Sequence, residues 1–151
     1  MTLVISEAGR LDFRASAEAD VVNSEMQRQL GLPTRYAPAR LAIALSLGLP
    51  FSESEIASAA DCETGKAIRG ETLFGTGQQL ATWVALFVQA DRVGTTMTRE
   101  RLKLLVTLHW SRGIRLLSDR FKAVGGDFDK FIETLVLAVE ADAQESQPQH
   151  R

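Results

Sequence analysis

Apolar residues recur along this chain at helical rather than alternating spacing, and the longest such pattern runs from Thr98 to Lys122. At 100° per residue, Leu102, Leu105, Val106, His109, Trp110, Gly113, Leu116, Leu117 and Phe121 gather on about half of its surface, as a core-packing helix requires. Arg101, Arg112, Arg115 and Lys122 fall on the other half with Asp119, and Leu104 and Leu108 interrupt that polar face. Gly113 sits within the apolar face, where glycine costs about 0.5–1 kcal/mol relative to alanine. The spacing therefore predicts another backbone passing close over it.

The remaining elements follow in order. Residues 1–15 read as an arm with one extended piece, Arg10–Arg14, in which Leu11 and Phe13 share a side. Ser16 is placed to cap a helix with apolar positions Ala19, Val22, Met26 and Leu30, and Gly31 with Pro33 supplies its stop. Pro38 suits the first position of a second helix that ends at Gly48; it is apolar on almost every side, which predicts full burial. Ser52 with Glu55, and Thr76 with Gln79, have capping-box spacing for helices over residues 53–60 and from Thr76 to about Asp91. Residues 61–72, DCETGKAIRGET, read as an irregular polar connection. After Gly125 and Gly126, Asp127 caps a last helix with Phe128, Phe131, Ile132, Leu135 and Val139 directed inward, and residues 142–151 form a polar tail expected to be disordered. The pattern as a whole predicts an all-α fold: a compact single-domain helical bundle of five to six helices over residues 16–141, behind a short N-terminal extended arm.

Charge adds a polarity that the hydrophobic pattern does not show. Residues 1–65 carry five Arg and no Lys against nine acids, residues 66–126 carry ten Lys plus Arg against four, and residues 127–151 turn acidic again. The middle third is the basic part. A net charge of −2 for the whole chain nevertheless argues against a strong nonspecific hold on nucleic acid by a monomer. The lone Cys62 and two histidines exclude an internal disulfide and a zinc site, so a cytoplasmic protein without metal or cofactor is expected. No run approaches the roughly 18 apolar residues of a membrane span, and MTLVISEAGR lacks the basic start and apolar core of a signal.

Candidate chemistry is sparse. His150 lies in the tail, so histidine-dependent catalysis would rest on His109, whose apolar surroundings suit a structural residue held through a ring nitrogen. No nucleophile elbow supports a Ser-His-acid arrangement. Residues 70–77, GETLFGTG, lack the Gly-Lys-Ser/Thr ending and preceding strand of a phosphate loop. The basic residues remain. Lys66 and Arg69 lie beside Gly65 and Gly70, where side-chain and backbone donors could both meet a phosphate. Arg101, Arg112, Arg115 and Lys122 extend over roughly 30 Å of helix at 1.5 Å per residue, a length comparable with several phosphate spacings, although a solvated helix face is the competing account.

Two runs shift that balance. GKAIRGETLFGTGQQLATWVALF followed by KLLVTLHWSRGIRLLSDRF resembles the DndE family of DNA sulfur modification proteins, with its Gly-Lys and Ile-Arg-Gly-Glu-Thr-Leu segment, a helix, and then a His-x-x-Arg-Gly helix ending in Leu-Leu. The similarity covers about residues 10 to 124. It implies a small all-helical protein of the phosphorothioation system, in which sulfur replaces a non-bridging phosphate oxygen of DNA. It further implies a binder of duplex or nicked DNA that works with the other proteins of that machinery, with homo-oligomers, no membrane, and DNA nicking as a proposed role. Carried onto this chain, the implied phosphate contacts are Lys66, Arg69, Arg112 and Arg115, then Arg101 and Lys122. The chain departs from the family at its first helix, usually lysine-rich: residues 17–20 are acidic here and no lysine precedes Lys66. Either the middle third carries the contact, helped by Arg10, Arg14 and Arg40, or DNA contact has been traded for protein contact. Three readings stay open: a non-enzymatic DNA-binding component, a DNA-nicking endonuclease, and a scaffold for the sulfur-transfer complex that does not touch DNA.

Overall fold

The helical periodicity is realised in eight helices among the described residues, 2–91 and 96–145, of a computed structural model. In chain order these are α1 (Ile5–Ala8), α2 (Ala17–Gln29), α3 (Tyr36–Leu47), α4 (Glu53–Ala60), α5 (Gly70–Phe74), α6 (Gln78–Ala90), α7 (Arg99–Ala123) and α8 (Phe128–Glu145). A two-stranded antiparallel ribbon, β1 (Asp12–Phe13) and β2 (Ile68–Arg69), pairs Asp12 with Arg69 and Phe13 with Ile68. The chain divides into two compact units, Met1–Leu117 and Ser118–Arg151. No helix among the described residues is long and apolar enough to cross a membrane.

Within the first unit, α7 is the element that the others enclose. Leu105 through Trp110 are six consecutive buried residues, so the helix is covered on more than the half that its periodicity predicts. Its nominally polar side is covered by the N-terminal arm: Thr107 Oγ1 donates to the Arg14 carbonyl at 2.8 Å, and Ser16 N donates to Ser111 Oγ at 3.0 Å. On another side Trp110 Nε1 donates to Asn23 Oδ1 of α2 at 3.1 Å. The close backbone expected at Gly113 is that of α3, since a Cβ there would overlap the Ala42 carbonyl. Phe13, Phe74 and Phe87 build an edge-on aromatic cluster below, with centroids 5.5 and 5.7 Å apart.

Several local expectations are corrected. The arm contains α1, and the supposedly irregular residues 61–72 hold both β2 and the start of α5, because hydrogen bonds to the arm replace the periodicity that a sequence window looks for. Helix α3 begins at Tyr36, with Pro38 in its first turn where no N–H is needed, and it is not fully buried: Leu41 is 41% exposed. Gly77, at φ +58°, caps α6 in place of Thr76. In the second unit Asp127 Oδ1 accepts from Lys130 N as a cap should, and Phe131 is inward against Phe121. Phe128 and Ile132, expected inward, are exposed, because among the described side chains of α8 the buried one is Phe131, with Leu135 half-buried beside it. The helix extends to Glu145, past the expected boundary at 141; the side chain of Val139 and residues 146–151 lie outside the described residues.

Candidate nucleic-acid interface

The ribbon places the first group of cations. Gly65 N donates to the Ala15 carbonyl and Gly70 N to the Leu11 carbonyl, both at 2.8 Å, which ties the 61–72 connection to the arm. Gly70 is required for this approach, since a Cβ would overlap the Ala8 carbonyl. Alternation then decides which residues face water. Phe13 and Ile68 are buried, whereas Asp12 and Arg69 are exposed, and Arg10 and Arg14 share the register of Asp12. Arg69 pairs with Asp12 at 3.1 Å and donates to the Arg10 carbonyl at 2.9 Å, while Arg14 donates to the Gly65 carbonyl at 2.8 Å. Lys66 is held through its backbone, N–H to Asp20 Oδ2 and carbonyl to Arg35, and its ammonium has no hydrogen-bond partner among the described residues. Arg10, Arg14 and Arg69 are thus exposed at the ribbon beside Asp12, and Lys66 is exposed on the approach to β2 beside Asp20, a rim of cations partly offset by these two acids. The period-two spacing of Arg10, Asp12 and Arg14 was the signal for it, but their partner strand is some 55 residues away.

The stripe on α7 is not a single surface. Arg112, expected to contact phosphate, caps the end of α3 instead: its donors reach the carbonyls of Ser46, Leu49 and Pro50 at 2.9, 3.1 and 2.7 Å and Ser46 Oγ at 2.8 Å, with Glu55 at 3.4 Å. Burial lowers its pKa from the usual arginine value. Arg101 is likewise engaged, bridging Asp91 at the end of α6 (2.7 Å) and Glu53 at the start of α4 (2.8 Å). Those hydrogen bonds, to Asp91 first, raise its pKa. Arg40 donates to the carbonyls of Leu73 and Thr72 and so closes α5. Arg115 is exposed, without a hydrogen bond among the described residues, and lines a groove of about 370 Å³ between α4 and α7 that also reaches Ser16 and Cys62. Lys122 is exposed and belongs to the second unit.

His109 is fully buried. Its Nδ1 lies 2.8 Å from Ser46 Oγ, which also accepts the Arg112 Nε–H. Nε2 has no polar partner among the described residues; the rings of Phe51 and Phe87 lie against the imidazole at centroid distances of 5.3 and 5.9 Å. Desolvation, then the Arg112 charge, push its pKa down to about 4. The Ser-His pair is enclosed among packed side chains, with both residues fully buried.

No curated protein and no solved structure matches the chain. The family model described as DNA sulphur modification protein DndE matches residues 13–125, from the buried Phe13 of the ribbon to the glycine that follows α7. That match spans α2 to α7 with both strands' buried residues, and the chain belongs to the DndE family of DNA sulphur modification proteins.

Proposed function

We propose that this protein is a non-enzymatic, DNA-contacting component of the sulfur modification machinery, holding backbone phosphates of duplex or nicked DNA at the rim formed by Lys66, Arg69, Arg10 and Arg14, with Arg115 nearby. The observation that carries this reading is the ribbon pairing that sets Arg69 beside Asp12, with exposed Arg10, Arg14 and Lys66 on the flanking residues; of these cations Arg14, Lys66 and Arg69 lie inside the family segment. Arg101 and Arg112 support the frame through internal bonds rather than through phosphate. Contacts of this kind position a duplex without reading bases, so affinity comes from counterion release. Preference for a nick follows from the lower cost of bending a broken strand.

The test is retention of intact and nicked duplex at several salt concentrations. Lys66→Glu with Arg69→Glu should abolish low-salt retention, and Arg115→Glu should weaken it. Absence of retention by the unaltered protein would overturn the proposal. That outcome favours the scaffold reading, which draws on the exposed Glu18 and Glu25 of α2 and on the internal engagement of Arg101 and Arg112. Plasmid relaxation run alongside tests the nicking reading, for which the enclosed His109 offers no base.

A further inference from the structure

We infer that α8 is a docking helix for another protein, and that the partner presents an amphipathic helix with an apolar face and basic flanks. Phe128, Ile132 and Val136 recur at four-residue steps and are 49%, 41% and 51% exposed. At 100° per residue they lie within about 80° of one another and form one continuous stripe. It is not the face that α8 buries: Phe131 is 1% exposed and meets Phe121 edge-on at 5.4 Å. A stripe of large apolar side chains on a helix that already has a buried face is the pattern of a helix-in-groove or helix-on-helix contact.

Charge selects the occupant. Asp129 and Glu133 are exposed along the edge of the stripe, and residues 127–145 hold six acids against Lys130 as the one base. A second copy would bring the same acidic flanks against these, and DNA or an anionic membrane would be repelled. A helix carrying Lys or Arg beside its apolar positions satisfies both the stripe and its edges. The helix starts beyond residue 125, where the family match ends, and the inference uses none of the residues of the DNA-contact rim.

The experiment uses the full chain and two synthetic amphipathic helical peptides, one of Leu and Lys, the other with Glu replacing every Lys, followed by fluorescence anisotropy. The Leu/Lys peptide should bind at least about tenfold more tightly than its Leu/Glu counterpart. Ile132→Asp with Val136→Asp should remove that binding by about the same factor, and Asp129→Lys with Glu133→Lys should invert the preference. All four positions are exposed, and circular dichroism verifies that the variants stay folded. The inference is overturned by equal or absent binding of the two peptides, or by binding that survives Ile132→Asp with Val136→Asp. It is also overturned by a dimer in sedimentation that this double variant dissolves, which would assign the stripe to a second copy.

Discussion

An imidazole with no water around it stays neutral because the charged form has lost its hydration, and His109 adds the nearby Arg112 charge to that penalty. Its folded pKa of about 4 lies below the ordinary 6.5, so between those values the unfolded chain takes up a proton that the folded chain refuses. This contribution to stability is complete above about pH 6.5, declines as pH falls toward 4, and amounts to at most about 3 kcal/mol. Urea unfolding at pH 7.5 and 5 should therefore show a smaller loss for His109→Gln than for the unaltered chain; parallel losses would refute the assignment. Gly113 gives an opposite lesson about propensity. Alanine is favoured by about 1 kcal/mol in an isolated helix, but here its Cβ meets the Ala42 carbonyl. Gly113→Ala should lower stability by roughly 1–3 kcal/mol in thermal unfolding, the range of overpacked cores.

At the scale of elements, arginine acts mainly as a closure for helix ends. Arg112 reaches the Ser46 carbonyl in the last turn of α3 and the Leu49 and Pro50 carbonyls after it, Arg40 reaches the Thr72 and Leu73 carbonyls of α5, and Arg101 joins the start of α4 to the end of α6. Arg112 and Arg40 supply donors where a helix leaves its final carbonyls without partners, and Arg101 acts through two carboxylates. Arg112→Met should cost about 1–3 kcal/mol, the penalty for buried groups left unsatisfied, whereas Arg115→Glu should leave the melting temperature nearly unchanged and act on DNA retention. The two arginines are three residues apart on one helix, so measuring both separates frame from surface. Periodicity could not make that separation, because an arginine facing water and one facing carbonyls more than 60 residues away look alike in a sequence window.

For the whole molecule, the net charge of −2 sets how far a local cationic rim can reach. With four phosphates held, the logarithm of DNA affinity should fall against log salt with a slope of about −3 to −4, at roughly 0.9 per phosphate. Lys66→Glu should reduce that slope by about one. Replacing exposed acids outside the rim, Glu18→Lys with Glu25→Lys on α2, should raise affinity through the long-range field without adding a rim contact. A fluorescence titration across 50–300 mM salt measures all three, and a slope near zero would show that the phosphates are not the ligand.

The linear order of residues was sufficient for the fold class, for most helix ends and for the close approach at Gly113, because helical period, serine caps and glycine conformation act over a few neighbouring residues. It was also sufficient for the family, whose motifs lie in continuous runs. Which cations face water was decided only when residues 10–14 met residues 65–70 and α7 was enclosed by the arm, α2 and α3. The reason is reach: a long, flexible cationic side chain is spent on whatever acceptor the folded chain brings within about 3 Å of it, and no local pattern records that acceptor's address.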